Sequence, residues 1–335
     1  MKVVVEEQFS GIVSVIKEGR SIINNAYGYR DYPNEIANNP ETLFEIASGS
    51  KTFVAVAILQ LVQDGNISLN QKVSEIFENS FWPFDKNVTV KMLLNHSSGI
   101  PDYFDEEEND DYASLWKECP NYRIRCNQEV FSLFRELPMK EQPGSTFRYN
   151  NSGYIVLAAI IEKITNQLFD EYIQEHIFDK VGMARSGYYE LDRLPKNTAN
   201  AYLWDEKQEE YYSNIYSIDV KGTGAGGGYS NGEEIARFWQ GVFNGTLLSK
   251  ELLEKMIANQ TKEKKNRYGY GVYLLEKEGI QIPCMVGVDP GITFISSHIA
   301  EIDLTITIIS NFEQRIRLIH QSILGQVWEE YGLGE

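Results

Sequence analysis

An α/β chain of the α+β kind, with one antiparallel sheet flanked by helices and an inserted, mainly helical subdomain, is what three features of this 335-residue sequence predict. Strand-like segments gather at the N-terminus and again after residue 268. The stretch between them carries helical periodicity. Near residue 50 a helix begins that is apolar on almost every side, as a helix at the centre of a core must be.

Taken along the chain, residues 9–17 (FSGIVSVIK) and 20–28 (RSIINNAYG) read as two strands of a hairpin around Glu18-Gly19. The central helix follows Ser48-Gly49-Ser50-Lys51 and stops at Asp64-Gly65, where glycine suits the left-handed position past a helix end. Helices are expected at 89–95, 127–136, 152–165, 168–180, 233–244 and 249–258. Strands are expected in 268–279, 280–288, 291–300 and 301–311, with a closing helix at 312–331. Two subdomains follow: 1–65 with 211–335 building the sheet, and 66–210 mainly helical.

Composition narrows the function. The formal charge of −17 repels nucleic acid and anionic membranes, and it slows anionic substrates unless the cleft is locally basic. The acidic run 105–111 (DEEENDD) reads as a solvated loop, with a cation or partner contact as the rarer use of such a run. No stretch is long and apolar enough for a membrane span, and the first residues do not read as a secretory signal. Three cysteines suit a reducing compartment, so the chain as written is expected in the cytoplasm, or outside it if trimmed. Four histidines without metal-ligand spacing predict no zinc site, and no cofactor is expected. The expected partner is a small-molecule or peptide substrate. Nothing in the sequence sets an oligomeric state.

The chemistry gathers at two places. Ser48 and Lys51 lie three apart at a helix start, a spacing that brings an amine against a hydroxyl. The positive helix end favours an alkoxide and depresses the lysine pKa, giving a workable nucleophile and base. Tyr149 and Asn151, read as an extended segment, point the same way. Beside an ammonium the phenol's pKa is expected to fall, making Tyr149 a candidate base, while Asn151 can bond a substrate amide.

Together these segments resemble a known family. Phe44-Glu45-Ile46-Ala47-Ser48-Gly49-Ser50-Lys51 is similar to the active-serine segment of serine β-lactamases and penicillin-binding proteins. Leu93-Leu94-Asn95-His96-Ser97-Ser98-Gly99-Ile100-Pro101, Tyr149-Asn150-Asn151 and the glycine loop Gly226-Gly227-Gly228 resemble blocks of the class C β-lactamase-related esterases and D-peptidases. The resemblance implies the β-lactamase/transpeptidase-like fold and acyl-enzyme chemistry at Ser48. Lys51 and Tyr149 would move protons, and Asn151 would hold the substrate. The oxyanion would meet the backbone N–H groups of Ser48 and Val288. The expected bond is an ester, amide, D-amino-acid peptide or β-lactam; the rivals are a carboxylesterase without β-lactam activity and a catalytically weak penicillin- or peptide-binding sensor. One block departs: Met285-Val286-Gly287 stands where relatives place a lysine or histidine before the glycine. Gly287 keeps the close backbone approach, but Met285 cannot pair a substrate carboxylate.

Other patterns carry less. Gly228-Tyr229-Ser230-Asn231-Gly232 matches a nucleophile elbow but lacks a buried strand before it, and Gly222-x-Gly224-x-x-Gly227 lacks a βαβ context. His96 reads as a structural hydrogen-bonder, Asp102 as a turn residue, and His298 and His320 as surface or packing residues.

Overall fold

The N-terminal hairpin forms as expected, from β1 (Gly11–Lys17) and β2 (Arg20–Tyr27), in a computed structural model that describes residues 9–77, 81–261 and 267–333. Its turn residues Glu18 and Gly19 both take positive φ, the twist a two-residue hairpin needs. The expectation for residues 1–8 lies outside the described residues. The C-terminal part supplies β3 (Tyr273–Lys277), β4 (Ile280–Asp289), β5 (Ile292–Ile299) and β6 (Leu304–Ser310). The six strands run in the order β2-β1-β6-β5-β4-β3, each antiparallel to its neighbours. Both chain ends therefore meet in one sheet, with Gly11 opposite Ser310 and Lys17 opposite Leu304.

Alternation along the strands splits the core in two. Val13, Val15, Ile295, Ile306 and Ile308 face α5 (Ile316–Tyr331), packing on Ile323, Val327 and Trp328. Ile12, Met285, Phe294 and Ile309 face the other way, into the larger core shared with the remaining helices. Several polar groups buried with the sheet are paired, while Ser14 Oγ and Thr293 Oγ1 are buried without a hydrogen-bond partner among the described residues. Trp239 donates to Ser296 (3.0 Å), Ser297 meets His320 (2.7 Å) and His298 meets Thr305 (3.0 Å). Both histidines are thus packing residues, and burial pushes each pKa down to about 4, so the rings are neutral.

The central helix, α1 (Lys51–Gln63), is buried along most of its length. Phe53 meets Phe178 and Phe238 edge-on at 5.0 and 4.7 Å. Beyond it come α2 (Asn127–Phe134), α3 (Asn151–Thr165) and α4 (Gly232–Phe243). The expected strand at 268–279 shortens to β3 because the preceding residues turn back onto another segment. Tyr270 N–H bonds the Met256 carbonyl at 2.8 Å, and a Cβ on Gly269 would sit 2.0 Å from that same oxygen. Among the described residues, no helix is long and apolar enough to cross a membrane.

Candidate active site

Ser48 lies in a single 3-10 turn, Ala47–Ser50, that runs directly into α1. The turn hands the chain directly to α1, so side chains three apart share a face and the expected meeting of Ser48 with Lys51 occurs. Lys51 Nζ donates to Ser48 Oγ at 2.8 Å. The residue before the serine is held in an unusual state: Ala47 has φ +47°, in the left-handed region that non-glycine residues seldom enter. The neighbouring strand keeps it there. A Cβ on Gly287 would stand 2.2 Å from Ile46 O and 2.9 Å from Gly49 N, so only glycine lets β4 approach this turn.

Lys51 is almost wholly buried and spends its three donors inside the protein. Besides Ser48, they reach Asn151 Oδ1 at 2.8 Å and the carbonyl of Ala225. The Ala225 oxygen comes from the glycine-rich turn, where Gly226 approaches within contact of the Ala47 backbone. Burial lowers the lysine pKa to about 8, against the opposing pull of Glu106, Asp289, Asp102 and Asp219. The expected direction is right, while its cause is burial more than the helix end.

Two expectations for Tyr149 and Asn151 are corrected. They do not share an extended segment. Asn151 is the first residue of α3, and Asn150 caps that helix by accepting from Gly153 N–H at 2.7 Å. Nor does the phenol's pKa fall. Burial pushes Tyr149 well above 10, helped by nearby Tyr273 and Glu106, and a hydrogen bond with Ser48 only partly offsets this. Lys51 Nζ sits 5.1 Å from the centre of the phenol ring, over its π face. Tyr149 reaches Ser48 and Asn151 reaches Lys51, by a different backbone route from the one expected.

Further groups that the sequence hides hold this set in place. Asp102, expected as a turn residue, is buried and accepts from Asn151 N–H (2.6 Å), Ser152 N–H (2.9 Å) and Ser152 Oγ (3.0 Å). It closes the start of α3 and fixes Asn151, and burial raises its pKa to about 6. The Asn151 amide nitrogen donates to Phe104 O (3.1 Å) and Glu106 Oε1 (3.2 Å), so its donors are occupied within the protein. His96 has φ +56° and accepts at Nδ1 from Asn150 N–H at 3.1 Å. Its ring lies 4.4 Å from that of Tyr149, tilted by 36°, and burial drives its pKa well below 6.5. It is a neutral scaffold for the tyrosine.

The rival motifs dissolve. Ser230 is buried in a two-residue strand opposite Phe44 and bonds Ser186 at 2.8 Å. The Gly222–Gly228 stretch folds as a tight turn, with Thr223 N–H bonding Gly226 O. Cys119 and Cys126 are both free.

A cleft of about 460 Å³ opens over Ser48 and Asn151. Val288, 57% exposed, forms part of its wall, whereas Met285 is buried in the larger core. The acidic run is not simply solvated. Glu106, Asp110 and Asp111 line this cleft, joined by Asp219, Asp289 and Glu313, and no lysine, arginine or histidine stands among its lining residues. Arg148 ties the run down, bonding Asp105 at 2.6 Å and reaching Glu107 and Glu108 at 3.2 Å.

Comparison with known proteins agrees with this geometry. A family model described as Beta-lactamase matches residues 3–318. A penicillin binding protein from Bacillus halodurans superposes with a TM-score of 0.90 at 33% identity, over 96% of this chain and 97% of that one. The Bacillus subtilis (strain 168) protein PbpX, named for penicillin binding, is 28% identical over 92% of this chain and 72% of its own length. The D-amino acid amidase of Ochrobactrum anthropi SV3 shares the fold, with a TM-score of 0.80 at 22% identity over 96% and 95% of the two chains. Some longer Staphylococcus aureus relatives are matched over only 37% of their length.

Proposed function

This chain belongs to the β-lactamase family of serine hydrolases, and on that premise we propose that it cleaves an ester or amide bond through an acyl-enzyme on Ser48. The observation that carries the proposal is the Lys51 amine, buried and shared among Ser48, Asn151 and Ala225.

As an ammonium, Lys51 fills all three acceptors. With one proton lost, two N–H groups remain for Asn151 Oδ1 and the Ala225 carbonyl, and the lone pair then faces Ser48. The Ser48 hydroxyl can now donate to Nζ, and its oxygen attacks the substrate carbonyl as its proton passes to the amine. With a pKa of about 8, the amine is already neutral in about a tenth of molecules near pH 7. Tyr149 keeps its proton, so it serves as a donor and relay toward the leaving group and not as the first base. Collapse of the tetrahedral intermediate expels the alcohol or amine with a proton returned from this pair. Water then attacks the acyl-enzyme, its proton goes to Lys51, and the acid is released. Oxyanion stabilisation is assigned to the N–H groups of Ser48 and Val288, each worth about 3–4 kcal/mol in comparable sites.

The cleft wall bears on the substrate. Among the described residues no lysine, arginine or histidine lines it, and Met285 is buried in the core, so a substrate carboxylate has no partner there, which favours plain esters and amides over β-lactams and D-Ala-D-Ala peptides. A fluorophosphonate probe followed by peptide mapping tests the nucleophile. The expected result is a single adduct on Ser48 that vanishes in Ser48→Ala at unchanged melting temperature; labelling elsewhere, or in the variant, removes Ser48 from the mechanism.

A further inference from the structure

The buried lysine is held by neutral groups. Among the described residues Lys51 forms no salt bridge, and its donors go to a hydroxyl, an amide oxygen and a backbone carbonyl. The carboxyl groups of Glu106, Asp289, Asp102 and Asp219 act on it from beyond ion-pair range. A cation taken out of water calls for close compensation, and the usual source is a touching carboxylate. Two aromatic faces stand in that place. Lys51 Nζ lies over the Tyr149 ring, 5.1 Å from its centre, and over the Tyr154 ring, 5.9 Å from its centre.

Tyr154 reaches the amine for a local reason. It stands three residues after Asn151 on α3, and positions three apart share a helix face. The face that gives Lys51 the Asn151 oxygen therefore gives it a ring one turn later. The side chain is fully buried, and its hydroxyl is committed elsewhere, donating to Leu94 O at 2.9 Å. Tyr154 thus presents π surface to the amine and keeps its own proton out of the reaction. Packing fixes where the ring sits. The neutral His96 ring lies 5.1 Å from it. A Cβ on Gly224 would come within 2.2 Å of the Tyr154 carbonyl, so the glycine-rich turn fits directly over this part of α3.

A ring suits a proton-accepting amine better than a touching carboxylate. The carboxylate would hold the ammonium so strongly that the lysine could not serve as a base. A π face attracts less, so it keeps the charged amine in place between turnovers and still lets the proton leave.

Resting on the hydrolase reading above, we propose that Tyr154 is a positioning residue of the reaction, its ring steadying the Lys51 ammonium through cation–π attraction while Tyr149 carries the proton.

The test places phenylalanine at position 154 in the whole chain, and then phenylalanines with progressively more ring fluorines. Fluorine drains the π face and nearly keeps its shape. Three readouts are followed against pH: fluorophosphonate labelling of Ser48, hydrolysis of p-nitrophenyl acetate, and the Lys51 ε-carbon NMR signal, assigned with Lys51→Met. The ring favours the charged amine, so weakening it must lower the midpoint of the lysine. Tyr154→Phe should titrate close to the wild type, at about 8, and the fluorinated series should step down by up to about one pH unit. Below the midpoint, the fluorinated forms should then keep a severalfold larger share of their own plateau rate than Tyr154→Phe. Any loss of stability from the missing hydroxyl is common to the phenylalanine series and cancels in this comparison. A midpoint that stays fixed or rises along the series overturns the proposal and confines Tyr154 to packing. Absence of labelling at Ser48 in the wild type overturns the hydrolase reading instead, while the NMR titration still decides whether the ring acts on the amine.

Discussion

On the floor of the cleft, Lys51, Asn151, Ala225 and Asp102 form a closed set in which the donors of the amine and of the Asn151 amide are accounted for. On its walls, Asp219, Asp289 and Glu106 gather carboxyl groups with no salt bridge among the described residues; Glu106 accepts from Asn151 and Asp219 from Tyr112, and burial raises Asp219 to about 6 and Asp289 well above its ordinary range. A satisfied network fixes geometry, and a floor that places reacting atoms needs that. A wall without cations leaves its polarity to be met by something arriving from solvent. The difference separates residues that set rate from residues that set choice of substrate, and mutations on the two sides should fail in different ways.

The sharpest way to break the floor is Lys51→Met, which removes the proposed base while retaining bulk. Hydrolysis of a neutral activated ester should fall by roughly 10³-fold, within the range for loss of an activating base. The pH profile adds the sign. Because burial holds the lysine pKa near 8, kcat/KM of the wild type should rise as pH increases through about 8 and level above it. A wild-type profile flat from pH 6 to 9 would transfer the base role away from Lys51.

A milder break is Asp102→Ala. It strips the cap from α3 and frees Asn151, so stability should drop by about 1–2 kcal/mol in urea melts. Activity should fall alongside, since Asn151 is what holds the amine; a variant that loses stability with unchanged kcat would confine Asp102 to folding. The smallest effect is expected from Arg148→Ala. Its pairs with Glu107 and Glu108 are largely solvent-exposed, and Lys140 remains 3.8 Å from the buried Asp105 once the Arg148 bond is lost, so stability should shift by about 1 kcal/mol. The released acidic run should nonetheless change the salt dependence of turnover, and a variant with an unaltered salt response would disconnect the run from the cleft.

How legible each side was in the sequence follows the same division. Ser48, Lys51 and Tyr149 were readable because side-chain type and spacing carry their signal, and they do converge in the fold. The Ala225 contact was not readable, since every residue offers a carbonyl and only the path of the glycine-rich turn selects one. Asp102 reads as a turn residue because its partners, the N–H groups of Asn151 and Ser152, lie about fifty positions further on. The run 105–111 reads as solvent-facing until Arg148, some forty residues later, folds part of it over the site. The direction of the Tyr149 shift was missed for a related reason: a neighbouring ammonium is visible in sequence, while the loss of water around the phenol is not. The strands and the buried helix were legible because their periodicities are local.

The tight passage between Gly287 and the turn at Ile46 to Gly49 divides the freedom of one short strand. A methyl group at 287 would push the backbone that presents Ser48, while Met285 fills the larger core and Val288 pairs an exposed side chain with the N–H assigned to the oxyanion. Diversification of selectivity in this chain, natural or engineered, therefore has one adjustable side chain, at 288, beside a position that is geometrically locked, and a library randomised at 288 keeps the backbone that frames the reaction.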